Sequence, residues 1–184
     1  MIPGFFYLSL KNVYKQYLKY LLRDGVKLRK RLGCLHAHYS NIGYIEEAFS
    51  AYDIELVHLT DPGLLYRADS DETFQESDAQ KRVNEQMEWI AQCGVDAILI
   101  TCTNYIAVLK EEQLSISVPI IKIDEPFFDF LCHIERPHKV ISVAQLSMVD
   151  AAQLVEKRTS EKIMNPLNTL VPFVVNHLEL EKNE

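Results

Sequence analysis

The stretch DAILITCTNY (96–105) decides the fold. Ala97 to Ile100 is an unbroken apolar run, too short for a helix and apolar on both of its alternating faces. Such a run reads as a strand buried on both sides, the kind found inside a parallel sheet. It ends in Thr101-Cys102-Thr103-Asn104, so a thiol stands at the carboxyl end of the strand, between hydroxyls and before residues suited to capping a helix.

The same alternation extends outward from this strand. Leu32 to Ala37 reads as a strand, and Ser40-Asn41 as the N-cap of a helix over Ile42 to Ala51. Ile54 to Leu59 is a second strand, closed by an Asp61-Pro62-Gly63 turn. Thr73 to Gln92 is polar with Val83, Met87 and Ile90 at helical spacing, as in a long surface helix. After the strand at Asp96 to Thr101 come a helix at Ile106 to Glu112 and a strand at Val118 to Ile123. A helix at Phe127 to Ile134, a strand at Val140 to Ala144 and a helix at Val149 to Lys157 follow. Strands and helices in turn specify an α/β fold: a doubly wound, mostly parallel sheet flanked by helices. Ligands of such sheets gather at the carboxyl ends of the strands. Three of those ends are polar here: His36 to Asn41, Thr101 to Asn104 and Asp124-Glu125.

Charge divides the chain. Residues 1–31 hold eight basic side chains and one acid, leaving 11 basic and 25 acidic for the remainder, a balance of −14. A body so acidic repels nucleic acid, whose binding requires neutralised phosphates. Lys11, Lys15, Lys19, Arg23 and Lys27 recur every four residues beside Val13, Tyr14, Tyr17, Leu18, Leu21 and Leu22. Residues 1–30 are therefore expected to form a basic amphipathic helical extension, docked on the domain or facing an acidic surface. No apolar run approaches the ~20 residues of an integral membrane segment. Neither a signal peptide nor a disulfide framework is legible around Cys34, Cys93, Cys102 and Cys132, so the expected location is cytoplasmic.

Three groups of residues carry chemistry. Cys102, placed before a helix start, is the candidate reactive thiol, since helix N–H groups favour thiolate. Cys34, His36 and His38 share one face of a strand and are residue types that bind zinc, but the spacing is unlike that of common zinc sites and no second cluster exists. No metal is therefore expected, and His36 or His38 reads as an acid, a base or a hydrogen-bonded wall. Asp124-Glu125-Pro126 has the composition of a helix start. The absence of GxGxxG, P-loop and GxSxG motifs argues against nucleotide binding and serine hydrolysis.

LGCLHAHYSN (32–41), DAILITCTNY (96–105) and VPIIKIDEPFFDFL (118–131) together resemble the aspartate/glutamate racemase superfamily, in an uncharacterised branch. The resemblance implies cofactor-independent proton transfer at the α-carbon of a small carboxylate or amino acid, between two α/β lobes that each supply a thiol. It makes Cys102 the catalytic acid/base and gives Ser40, Asn41, Thr103, Asn104 and His36 to substrate binding. By this likeness residues 31–135 form the first lobe and 139–184 a shortened remnant of the second. VISVAQLSMVDAAQLVE (140–156) resembles the segment bearing the opposing thiol, but has Gln145 and Ser147 in that region and no cysteine. A one-thiol isomerase or lyase thus fits better than a two-thiol racemase. The alternatives are an inactive small-carboxylate-binding or interaction protein, and a metal enzyme using Cys34, His36 and His38. A homodimer is one way to supply the missing wall.

Overall fold

A computed structural model describes residues 29–133, 141–143, 145–159 and 161–183. The expected basic helix at 1–30 lies almost wholly outside the described residues, as does the polar join at 135–138. The principal sheet has four parallel strands, β1 (Lys30–His36), β2 (Ile54–Thr60), β3 (Ala97–Ile100) and β4 (Ile120–Lys122), in the order β2-β1-β3-β4. Between them run α1 (Ser40–Phe49), α2 (Pro62–Ser70), α3 (Glu76–Ala91) and α4 (Thr103–Val108), with α5 (Glu125–His133) after β4. This is the expected doubly wound α/β class, and helices cover both faces of the sheet.

Burial explains why the central strands are apolar throughout. Leu32, Cys34, Ala97, Leu99 and Ile121 turn to one face, where they meet Ile45 and Phe49 of α1. Leu35, Ile98 and Ile100 turn to the other, against Val83, Met87 and Ile90 of α3 and Tyr105 of α4. Gly33 belongs to this second face: a Cβ there would overlap Ile90 Cγ2 and stand 3.3 Å from Val95 Cγ1. The helix therefore approaches β1 so closely that only hydrogen fits.

Three local expectations are corrected. Asp61-Pro62-Gly63 is no simple turn but the start of α2, with Pro62 in its first turn. There a missing N–H costs nothing and the fixed φ suits the helix. Ser40 does not cap α1, which begins at Ser40 without a side-chain cap. Its hydroxyl is instead 2.8 Å from His38 Nδ1. Of the strand expected at 140–144 to extend the main sheet, the described residues hold β5 (Ile141–Ser142), which pairs instead with β6 (Ile163–Met164) in a separate two-stranded sheet.

The carboxyl-terminal residues contribute to the same core. Leu146 and Val149, at the entry to α6 (Val149–Thr159), pack with Leu170 and Val174 of α7 (Leu167–His177) into the cluster containing Leu32 and Cys34. Pro172 removes one backbone donor inside α7. The buried Leu170 and Val174 on either side hold that helix to the core. Asp53 N donates to Glu181 O at 2.9 Å and Asn183 N to Ala51 O at 2.9 Å, fastening the end of the chain beside the start of β2.

Gly33→Ala is expected to lower unfolding free energy by about 1–3 kcal/mol, the usual cost of overpacking a dense core. Urea denaturation measures it. A change of only a few tenths would show that Ile90 yields freely and that the close approach is not a constraint.

Candidate functional site

The strand order reverses between β1 and β3: β1 leads outward to β2, and the chain then crosses back to β3. Their carboxyl ends diverge into different loops at this switch point, opening a crevice. A cavity of about 420 Å³ lies there, within the usual range of ~300–1,000 Å³ for small-molecule sites. It receives His38, Ser40 and Asn41 from beyond β1, and Thr101 to Asn104 from beyond β3. Gln145, Leu146 and Ser147 enter from the short helical turn before α6. The remaining lining is Ala37, Leu65 and Ile123, so among the described residues no carboxylate, lysine or arginine lines it. A ligand carboxylate would have to be met by hydroxyls, amides and backbone N–H groups.

Cys102 is the residue immediately before α4, and its carbonyl accepts from Ile106 N at 3.1 Å. Burial pushes its thiol above the ordinary cysteine value, while the backbone N–H groups of Tyr105 and Asn104 pull the other way. Desolvation outweighs them. This corrects the expectation of a thiol activated by a helix start: α4 has only six residues, and two N–H groups do not offset partial removal from water. The resulting thiolate is scarcer at neutral pH and more basic when formed.

Ser40, Asn41, Thr103 and Asn104 all reach the cavity, as does Cys102; His36 does not. His36 is fully buried behind Thr101, with Nδ1 2.8 Å from Thr101 Oγ1 and Nε2 2.8 Å from His58 Nδ1. His58 Nε2 lies 3.1 Å from Glu46 Oε1 on α1. Asn41 Nδ2 donates to Thr101 Oγ1 at 3.3 Å, and Thr101 Oγ1 lies 3.2 Å from Leu35 O. Burial, then the neighbouring His58, lower the His36 pKa to about 3, so this ring stays neutral.

Proton counting allows this chain two arrangements. If Thr101 donates to Leu35 O, His36 carries its proton on Nδ1 and accepts at Nε2. His58 must then donate from both nitrogens, the second to the Glu46 carboxylate, and is an imidazolium. If Thr101 donates to His36 Nδ1, each imidazole carries one proton on Nε2 and both are neutral. The arrangements differ by one proton on His58, by the tautomer of His36 and by the direction of the Thr101 hydroxyl.

Sequence reasoning missed His58 as a neighbour of these groups. His58 carries a signal in retrospect, as a histidine set among Leu56, Val57 and Leu59 in a strand run. Its partnership with Cys34 follows from the β1–β2 register, which sets those two residues side by side. The three residues expected together at one strand end are divided: Cys34 and His36 face α1, and His38 lines the cavity.

No family model matches the chain, and no curated protein matches it in sequence. Among solved structures it is similar to glutamate racemase from Aquifex pyrophilus, at 17% identity and TM-score 0.46 over 73% of this chain and 54% of that one. It is also similar to Picrophilus torridus aspartate racemase, at 13% identity and TM-score 0.47 over 82% and 68%. A third is glutamate racemase from Francisella tularensis subsp. tularensis SCHU S4 in complex with D-glutamate, at 14% and 0.47 over 74% and 52%. The chain thus spans about half the length of the two glutamate racemases. Among the described residues no helix is long and apolar enough to cross a membrane.

Two measurements test this geometry. Alkylation of Cys102 by iodoacetamide, followed by mass spectrometry against pH, should show a midpoint above the ordinary thiol value of ~8.5. A midpoint at or below that value would mean that the helix N–H groups dominate after all. Thr101→Val should cost about 1–3 kcal/mol in unfolding free energy, because His36 Nδ1 and Asn41 Nδ2 lose a buried partner. A neutral substitution would show that this hydroxyl does not hold the site together.

Proposed function

We propose that the chain is an aspartate/glutamate racemase-like protein of an uncharacterised branch, acting on a small carboxylate or amino acid through Cys102. One observation carries the reading: the thiol and the candidate binding residues Ser40, Asn41, Thr103 and Asn104, from two separate stretches of sequence, open onto one cavity that no described carboxylate, lysine or arginine lines. In this reading hydroxyls and amides hold the substrate carboxylate and amino group and place its α-carbon beside the sulfur. Cys102 thiolate takes the α-proton as a general base, which requires hydrogen-bond reach and a pKa matched to the task. Its raised pKa makes the thiolate a stronger base at the cost of its abundance. No cofactor has a role in this chemistry.

The far side of the cavity distinguishes it from a two-thiol design. Gln145 and Ser147 reach the cavity, as the resemblance of 140–156 to an opposing segment suggests, and neither is a thiol. Cys93 and Cys132 are exposed and Cys34 is buried in the core, and none of the three lines the cavity. Proton return to the opposite face therefore has no second thiol to supply it. That favours a one-thiol isomerase or lyase, and specifically favours a second reading, a protein that binds a small carboxylate without turning it over. Residues 139–184 are in either case the shortened remnant of a second lobe, now sharing the core of the first. A homodimer and a cytoplasmic location belong to the same proposal.

Incubation with L-aspartate or L-glutamate in deuterium oxide, followed by proton NMR, tests it. Loss of the α-proton signal should slow by ~10²–10⁴ in Cys102→Ala, the usual contribution of a positioned acid/base. Saturable ligand binding without exchange would establish the binding reading. Neither exchange nor binding, across aspartate, glutamate and simple dicarboxylates, would overturn both.

A further inference from the structure

We propose that Cys34, His36 and His58 form a metal site for zinc(II) or a cation of similar preference, set in the core behind Thr101 and separate from the Cys102 cavity. The backbone supplies the convergence. Cys34 and His36 alternate onto one face of β1, and the parallel register puts His58 of β2 beside Cys34. One donor atom from each lies within 4.8 Å of those of the other two. A thiolate and two imidazoles are a donor set suited to zinc, with a fourth position left for water or another donor.

The outer partners support the assignment. The imidazole nitrogens facing each other are His36 Nε2 and His58 Nδ1, at 2.8 Å. The remaining nitrogen of each ring already has a partner, Thr101 Oγ1 at 2.8 Å for His36 and Glu46 Oε1 at 3.1 Å for His58. Metal-bound histidines are oriented in this way, with the far nitrogen hydrogen-bonded to a hydroxyl, carbonyl or carboxylate. Two nitrogens at ~2.0–2.1 Å from a tetrahedral zinc stand about 3.4 Å apart. The rings must therefore part by about 0.6 Å relative to the 2.8 Å contact. His58 stands on the edge strand with 14% of its side chain exposed, whereas His36 is enclosed, so the movement falls to His58.

Charge closes as well. A zinc(II) ion and one thiolate leave a single positive charge in the core, which the Glu46 carboxylate offsets from the exposed end of His58. Binding replaces the hydrogen bond between the imidazoles with two metal–nitrogen bonds. It releases to solvent the thiol proton and, where His58 is an imidazolium, one proton more. His36 then carries its remaining proton on Nδ1 and donates to Thr101, and His58 donates from Nε2 to Glu46. Of the two proton arrangements of the free chain, metal therefore selects the orientation in which the Thr101 hydroxyl is available to Leu35 O.

The test uses the full chain in a Cys93→Ser/Cys132→Ser background, stripped with chelator and titrated with cobalt(II) and then zinc(II). One equivalent of cobalt should produce a near-ultraviolet thiolate charge-transfer band with intense tetrahedral visible bands, and zinc should displace it and raise Tm. Cys34→Ser should abolish the thiolate band. Glu46→Gln, an exposed change that disturbs no core packing, should weaken binding ~10–100-fold as an outer-shell loss. His58→Asn, on the edge strand, should weaken it further. The proposal is overturned if no thiolate band forms at one equivalent in the parent, since the imidazoles then form only a hydrogen-bonded pair. A band that survives Cys34→Ser, or binding unmoved by both Glu46→Gln and His58→Asn, would overturn it equally.

Discussion

The Thr101 hydroxyl is the junction on which the site depends. It takes a hydrogen bond from Asn41 at the start of α1, lies within reach of Leu35 O on β1, and meets the buried ring of His36. Three elements that diverge at the switch point are thereby tied at one oxygen. Backbone bonds from Thr101 N to Leu35 O at 3.1 Å and from Ile123 N to Ile100 O at 3.1 Å extend the sheet to the edge of the cavity. Cys102, the next residue, takes its position from this junction. A buried hydroxyl with several partners resists displacement because losing it strands each partner away from water.

A second balance determines what Cys102 can do. Among the described residues no lysine or arginine lines the cavity to stabilise a thiolate, and burial raises the thiol further. In the proposed function a substrate ammonium group would have to shift that balance before proton transfer. The surrounding hydroxyls and amides would suit such a zwitterion, since they serve both a carboxylate and an ammonium. Tyr105 reinforces the arrangement from beneath: its buried ring packs with Leu35 and Ile100, and its hydroxyl donates to Asp61 O at 2.6 Å. That bond ties α4 to the loop after β2.

Local signals made the strand and helix alternation legible, and long-range pairing hid the rest. β1, β3 and α3 were readable because burial on one or both faces imposes a period that the residues must obey. The joining of Cys102 with Ser40 and Asn41 was legible only through the rule that parallel strands share a carboxyl edge. Asp61-Pro62-Gly63 misled because proline and glycine signal a turn and a helix start alike. The helix Leu167–His177 escaped notice because Pro172 interrupts its pattern, and only tertiary packing of Leu170 and Val174 keeps it helical. His58 was invisible as a partner of Cys34 and His36, since strand register is a property of two segments and not of either one.

The carboxyl-terminal segment bears most directly on chemistry. It is too small to enclose a substrate as an independent lobe, yet Leu146 and Val149 anchor it in the main core. Tyr44 on α1 donates to Asp150 Oδ2 at 2.9 Å, fixing the start of α6 against the same helix that supplies Asn41. The turn carrying Gln145 and Ser147 is therefore held from two sides. A wall so anchored and bearing no thiol constrains the proposed reaction: a proton taken by Cys102 would return from the same sulfur to the same face, or another group would leave in its place. In that reading exchange with retention, or loss of a carboxylate, would follow from one-sided thiol access, whereas inversion would require a second donor on the opposite face.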